Sequence, residues 1–292
     1  MPQNLRQLPW LLRRTLVASI DDGLFAIAKG AAYSGLLSLF PVLTSLAAVS
    51  VQVRADYVHQ KILAFLSQIL PPGTEDAVLQ QFRYSGQRPA ALIVAAALLS
   101  LWAASSVIKS LMDGFNAAYH VPRNRSMSAH IGVGIMLVFL IVIPMLGASS
   151  LILFGGTVEH GLMKLWKVDP LLNPLTESLM ALFRAIRYVI AFAASWTLTA
   201  ILYYFGPYRK QRWKDVWAGA FLATVLWLLA TLVFSWYVRH ITNYNVLYGS
   251  IGTGIALLIW MYLLAIIALF GCEFNAESDR MHRAQTSETG SV

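Results

Sequence analysis

The dominant pattern along the chain is a series of six long apolar runs separated by short polar segments. Each run approaches or exceeds the roughly 18–20 apolar residues that a helix needs to cross the hydrocarbon core of a bilayer. Each is also bounded by charged or turn-forming residues. The runs lie near 31–53, 90–112, 131–156, 181–205, 214–238 and 251–273. The pattern therefore predicts an all-α, polytopic membrane helical bundle of about six transmembrane helices.

Two segments outside these runs have the period of amphipathic helices. In residues 5–29, leucine and isoleucine recur every three or four positions beside Trp10, Arg13 and Arg14, which predicts a helix lying on the membrane surface. Residues 58–69, after the first run, show a similar stripe.

The same pattern predicts three parts. Residues 1–30 form a cytoplasmic amphipathic segment, 31–278 the transmembrane domain, and 279–292 a disordered cytoplasmic tail.

Composition supports a lipid-embedded chain. Of 292 residues, 58% are hydrophobic and 12% are charged, whereas soluble domains carry about 25% charge. Six spans leave no room for a separate catalytic domain. The net charge of +8 comes from basic residues dispersed among the loops, so nucleic acid is not an expected partner. Cys272 is the single cysteine, which excludes an intrachain disulfide.

The distribution of basic residues predicts the orientation. With the N-terminus inside, twelve Lys and Arg residues lie in inner segments and seven in outer ones. Four of the twelve lie in the tight basic loop at 209–214, and this loop decides the orientation. Cytoplasmic loops of membrane proteins are enriched in Lys and Arg. We therefore predict a membrane protein with both termini in the cytoplasm.

One polar group lies at the inner end of the second run. Lys109, Asp113 and Asn116 are spaced i, i+4 and i+7, so they share one face of a helix. One interpretation is an interfacial, self-neutralised pair with Lys109 extended toward the headgroups. The other is a polar lining for a substrate path that opens to the cytoplasm.

A second group, Arg184 and Arg187, lies near the outer start of the fourth run. Both residues fit the headgroup layer, yet arginines on that side oppose the usual charge bias. The sharper hypothesis is an anionic partner such as a lipid phosphate, because the guanidinium fork matches phosphate geometry.

A third group, Glu273 and Asn275 with Glu277, lies at the inner end of the sixth run. Charged residues at membrane depth cost about 2.5–3.5 kcal/mol each on insertion scales, so they need a reason. The alternatives are an interfacial or structural role, in which Glu277 pairs with Arg280, and a place on a substrate path.

Helix breakers and motifs complete the inventory. Pro41 in the first run and Pro144 with Gly147 in the third predict kinks. The sequence holds no H-E-x-x-H, no phosphate-binding P-loop and no G-x-S-x-G. We therefore expect no catalytic residues, no metal, no cofactor and no enzymatic activity.

Several strings resemble the YihY/BrkB family of bacterial inner-membrane proteins. They are Ala32–Pro41, Phe115–Tyr119, Pro207 with the basic run after it, Gly219–Ala220, Tyr248–Gly252, Leu258–Tyr262 and Gly271–Glu277. The resemblance covers roughly residues 20–278. Its motif residues include Tyr33, Pro41, Pro207, Tyr248, Gly249 and Trp260.

The resemblance implies a six-spanning protein of the cytoplasmic membrane. The family once carried a ribonuclease label that is regarded as a misassignment, and this sequence agrees because it has no metal-binding acidic cluster. Members are linked with envelope properties and are proposed to move lipids or other amphiphiles.

The hypotheses for function follow from these observations. The first is a transporter or flippase for an anionic, amphiphilic envelope lipid. The second is a non-catalytic scaffold or assembly factor for envelope biogenesis, and a membrane-bound hydrolase or ribonuclease comes last. Membrane lipids are the expected partners; a homo-oligomer or an envelope protein partner is left open.

Overall fold

The computed structural model describes residues 8–52, 90–122, 128–144, 174–241 and 249–289. α-Helix takes up 92% of these residues and no strand occurs among them, so the predicted all-α class is confirmed. Within the described ranges, five helices are long and apolar enough to cross a membrane. A sixth apolar helix, Ser128–Pro144, is shorter. The rest of the third predicted span, with Gly147, and the stripe at 58–69 lie outside the described residues.

The N-terminal segment is divided by a turn. Helix α1 spans Leu8–Asp21 and helix α2 spans Leu24–Gln52, whereas the sequence predicts one amphipathic segment over 5–29. Gly23 has φ +66°, a left-handed conformation that costs glycine little. The last turn of the predicted stripe therefore belongs to α2.

Helix α1 packs through a different face from its apolar stripe. Its buried residues are Leu11, Thr15 and Ser19, and both hydroxyls donate to backbone carbonyls one turn earlier, at 2.8 and 2.7 Å. Residues of the predicted stripe, such as Leu16 and Ile20, are exposed. An exposed apolar stripe is the arrangement that an interfacial helix needs.

The remaining helices follow the predicted runs with shifted ends. They are α3 (Ala90–Ala118), α4 (Ser128–Pro144), α5 (Pro174–Phe205), α6 (Trp217–Ile241) and α7 (Gly249–Thr289). A short 3-10 helix, Trp213–Asp215, precedes α6. Pro41 lies inside α2, which stays helical through Gln52. The predicted kinks at Pro41 and Pro144 stay predictions.

The last helix is longer than the sequence predicts. The sixth span was expected to end near 273 and a disordered tail to start at 279, but α7 continues to Thr289. Ion pairs one turn apart accompany the extension: Arg280 contacts Glu277, and Arg283 Nη2 lies 3.2 Å from Asp279 Oδ2. Such pairs stabilise a polar stretch of helix, which a hydropathy pattern does not reveal.

Helix α7 is the centre of the bundle. It packs against α1, α2, α3 and α6, while α2 also packs on α3, and α5 on α6. The main core contains Met112, Phe115, Tyr203 and Leu269, each almost fully buried. These core residues lie toward one end of the bundle, which we call the polar end. It comprises α1, the turn 119–122, the loop 206–216 and residues 268–289 of α7.

The backbones of α6 and α7 come unusually close at the polar end. A Cβ added to Gly219 would lie 2.0 Å from the carbonyl oxygen of Gly271. Glycine at both positions removes the side chains that would hold the helices apart, which is how membrane helices pack tightly. The close approach places Asn275, one turn after Gly271, against the start of α6.

Candidate functional site

The polar end contains a run of buried polar side chains on α7. Glu273 is 0% exposed, and Asn275 and Glu277 are almost as deeply buried. Glu273, Glu277 and Arg280 are spaced i, i+4 and i+7, so they lie on one face of the helix. This face carries a cluster of charges inside an otherwise apolar bundle.

Arg280 is the hub of that cluster. Its Nη1 lies 3.2 Å from Glu273 Oε1 and also contacts Glu277 Oε1. Its Nη2 donates to the carbonyl of Ala118 at the end of α3. It also lies 3.4 Å from both ring nitrogens of His120. One guanidinium thus joins α7 to the turn after α3.

Two further ion pairs bring in the N-terminal helices. Arg14 Nε of α1 lies 2.5 Å from Glu277 Oε2 but without hydrogen-bond geometry, so the contact is mainly electrostatic. His120 Nε2 lies 2.8 Å from Asp22 Oδ1, in the turn between α1 and α2. We call the six side chains Arg14, Asp22, His120, Glu273, Glu277 and Arg280 the charge network.

The charge network is nearly balanced but costly to bury. Three carboxylates face two guanidiniums, with His120 as the additional partner of Asp22. Among the described residues, Glu273 Oε2 is buried and accepts no hydrogen bond. Removing ions from water costs several kcal/mol each in real proteins, so this arrangement needs all of its partners.

Two predicted path residues are engaged with backbone instead. Asn275 Oδ1 accepts from the Gly219 N–H at 2.7 Å, and its Nδ2 donates to the Val216 carbonyl at 3.1 Å. Asn116 Oδ1 accepts from the Tyr208 N–H at 2.7 Å. Each amide therefore links a membrane helix to the segment between α5 and α6.

Lys109 and Asp113 both contact residues of α4. Asp113 Oδ1 lies 3.7 Å from His130 Nε2. The Lys109 stem packs against Gly134, where an added Cβ would lie 3.2 Å from Lys109 Cγ. The structure thus brings Asp113 together with a histidine that the sequence did not single out. A role in a substrate path stays a prediction.

The predicted arginine pair lies far from the polar end. Arg187 is half-buried, and its guanidinium carbon lies 6.0 Å from the Tyr188 ring centroid. It is separated from Phe205 at the end of α5 by about 27 Å of helical rise. The side chain of Arg184 lies outside the described residues. The predicted phosphate site at these arginines is untested.

The residues of the family motifs lie in different parts of the fold. Pro207 is buried in the loop after α5, and Trp260 is buried against Phe234, with ring centroids 5.2 Å apart. Tyr33 is exposed and Gly249 begins α7. Tyr248 lies outside the described residues.

Sequence reasoning found the members of the charge network on α7 and missed those on the other elements. Glu273 and Glu277 stood out as carboxylates at the end of an apolar run, and the predicted Glu277–Arg280 pair is present. Arg14, Asp22 and His120 were not predicted. Arg14 was interpreted as a surface residue, and no local pattern shows that α1 folds back onto α7.

Tyr119, in the turn after α3, has a shifted pKa and contacts an arginine of the loop 206–216. Burial is the main factor that raises the pKa of Tyr119 well above its ordinary range. The neutral phenol ring lies under Arg209, whose guanidinium carbon is 4.6 Å from its centroid. Arg209 thus contacts both the Tyr119 ring, by a cation–π interaction, and Asp279 of α7.

The fold and the charge network together define a multi-pass, all-α membrane protein with ionisable groups enclosed at one end. The family model described as "Virulence factor BrkB" matches residues 16–291. The chain belongs to this family. The resemblance found in the sequence motifs is therefore confirmed.

Curated relatives span most of the chain. It is 28% identical over 246 residues to the "Putative ribonuclease-like protein YfkH" of Bacillus subtilis, covering 84% of this chain and 86% of the relative. It is 26% identical to a "UPF0761 membrane protein" of Chromohalobacter salexigens, covering 97% of this chain and 68% of that one. A protein with the same description from Tolumonas auensis is 26% identical, with coverages of 87% and 80%. No solved structure matches.

Proposed function

We propose that this membrane protein moves an anionic amphiphile, such as an envelope lipid, across the bilayer, and that the charge network is the gate at its polar end. The observation that carries the proposal is the complete burial of Glu273 within an ion-paired cluster that joins α1, α7 and the ends of α2 and α3. Ionisable residues enclosed in membrane bundles mark substrate or ion pathways.

The energetics favour a functional over a purely structural origin. Replacing a buried ion pair by apolar residues of similar volume is often neutral or stabilising, so packing alone does not require Glu273, Glu277 and Arg280. A cluster that is expensive to bury and easy to hydrate suits an element with two states. In the closed state the charges are paired with one another, as they are in this structure. In the open state the same charges face water or substrate.

The geometry suggests how an anionic headgroup would be exchanged. Arg14 and Arg280 are both held by Glu277 in the closed arrangement. A lipid phosphate entering between α1 and α7 would compete with that carboxylate for the guanidiniums. Binding of the headgroup would therefore shift the equilibrium toward the open state, in proportion to its preference for that state.

A non-transporting scaffold is the second candidate, favoured by a different observation. Asn116 and Asn275 are engaged in backbone hydrogen bonds, which favours a rigid polar end over a moving one. On this hypothesis the charge network only holds α1 in place, and a stable protein partner would be recovered with the intact chain.

The transport proposal requires a definite location and orientation in the membrane. We place the protein in the bacterial inner membrane with both termini in the cytoplasm, which puts the polar end on the cytoplasmic side. A reporter fused after Val292 should be active if it is of a type that works in the cytoplasm, and inactive if it is of a type that works only outside the cytoplasm.

We also propose that the protein does not convert any lipid chemically, so the masses of the lipids before and after transport should be identical.

The test is reconstitution of the full chain in vesicles with labelled phosphatidylglycerol in one leaflet. We expect faster exchange between leaflets than in protein-free vesicles. Arg14→Ala should slow it about tenfold, because the lipid phosphate loses one guanidinium contact worth about 1.4 kcal/mol. Arg13→Ala is the matched control, because Arg13 is exposed on the same helix and outside the charge network. No movement with the intact chain, or equal effects of the two variants, would exclude the proposal.

A further inference from the structure

A basic cleft lies beside the charge network, between the loop 206–216 and the last turns of α7. Its volume is about 510 Å³. Four cationic side chains and two carboxylates line it: Arg209, Lys210, Arg212 and Arg283, with Asp215 and Asp279. Cations thus outnumber carboxylates two to one in a space large enough for a phosphate and the atoms attached to it.

Ion pairs hold the cleft in shape. Asp279 Oδ2 lies 2.5 Å from Arg209 Nη2 and 3.2 Å from Arg283 Nη2. Arg212 Nε lies 3.1 Å from Asp215 Oδ2. Arg209 also rests on the Tyr119 ring. Positioned guanidiniums lose less entropy on binding an anion than free ones, because their geometry is already set.

An aromatic cavity adjoins the cleft. Its volume is about 720 Å³, and it shares Arg209 and Lys210 with the basic cleft while adding Tyr204, Phe205 and Tyr208. Phe205, Tyr208 and nearby Trp213 are exposed, although they flank the ends of two candidate membrane spans. Exposed aromatic rings at such positions are typical of the layer between hydrocarbon and water.

We propose that the basic cleft binds the phosphate of an anionic lipid headgroup, with the lipid's glycerol and upper acyl chains against the aromatic cavity. Arginine forks and a lysine match phosphate oxygens. The adjoining apolar rings favour a lipid over a free phosphate ion. The cleft shares no residue with the charge network, so the proposal stands without transport.

Binding of a short-chain lipid to the purified full chain in detergent tests the proposal. Dioctanoyl phosphatidylglycerol should bind saturably and more tightly than dioctanoyl phosphatidylcholine, whose headgroup carries no net charge. Lys210→Ala and Arg283→Ala should each weaken binding about fivefold, as expected for one basic side chain near an anionic headgroup. Asp215→Asn should strengthen it, because Arg212 loses its competing carboxylate.

Controls separate the cleft from general attraction and from free phosphate. Arg13→Ala removes one exposed positive charge from α1, outside the cleft, and should leave the affinity unchanged. Inorganic phosphate should compete only weakly. An equal loss with Arg13→Ala, equal affinity for the two lipids, or tighter binding of inorganic phosphate than of lipid would overturn the proposal. A failure of lipid exchange in vesicles would not, since this measurement involves no transport.

Discussion

The two halves of α7 are held in the bundle by opposite means. Toward the polar end, residues 268–278 of the helix are almost all buried, with Glu273 ion-paired and Asn275 bonded to backbone. In the first half, Ala256, Leu257 and Trp260 are buried, while Ile255 and Leu258 are exposed. One end is secured by directional polar contacts and the other by apolar packing and lipid.

This contrast predicts where substitutions should change stability. In lipid, apolar contacts between helices gain little from hydrophobicity, because the acyl chains are equally apolar. The first half of α7 should therefore tolerate change. The polar end should not, since each removed partner leaves a buried polar atom without compensation.

The largest expected effect is that of Arg280→Ala. It would leave Glu273 and Glu277 buried without their shared guanidinium, so we expect the free energy of unfolding to fall by about 3–5 kcal/mol. Titration with sodium dodecyl sulfate in mixed micelles measures it. Arg283→Ala, one turn later at an exposed pair, should change the free energy by less than about 1 kcal/mol.

A rescue keeps this prediction informative if Arg280→Ala does not fold. Adding Glu273→Gln removes one orphaned charge and should restore part of the lost stability. A double variant that is less stable than Arg280→Ala would contradict the role of Arg280 as the partner of Glu273.

The next largest effect is expected at Gly219, which packs against the polar half of α7; Gly254, in the first half of α7, is its control. Gly219→Ala would place a methyl group 2.0 Å from the Gly271 carbonyl oxygen, so α6 and α7 must separate. We expect a loss of about 3 kcal/mol, at the upper end of the usual range for overpacking. Gly254→Ala, in the first half of α7, meets no atom within 4 Å and should be neutral or slightly stabilising. Equal losses in sodium dodecyl sulfate titration would refute the contrast between the halves.

The smallest effect is that of Asn275→Ala. It removes the acceptor for the Gly219 N–H and the donor to the Val216 carbonyl, which should cost about 2 kcal/mol. Asn275→Asp preserves the acceptor and loses the donor. If Asn275 acts through these bonds, hydrogen exchange at the Gly219 amide should accelerate in the alanine variant but less so in the aspartate variant. Unchanged exchange in both would show that the bonds do not stabilise the start of α6.

Some features of the polar end could be predicted from the sequence and others could not. Carboxylates at 273 and 277 attract notice because a charge is improbable in an apolar run. The end of α7 was placed too early, because hydropathy does not register the ion pairs of Arg280 and Arg283. Asn116 and Asn275 were predicted as path residues, since a sequence does not distinguish an amide facing a cavity from one bonded to backbone.

The sequence alone predicts the membrane helices, because hydrocarbon admits only long apolar segments whose backbone bonds are internal. It also determined family membership, through motifs that are local strings. Helix packing brings Arg14, Asp22 and His120 together with Glu273, Glu277 and Arg280. No local periodicity encodes these contacts between helices, because they join residues 98 or more positions apart.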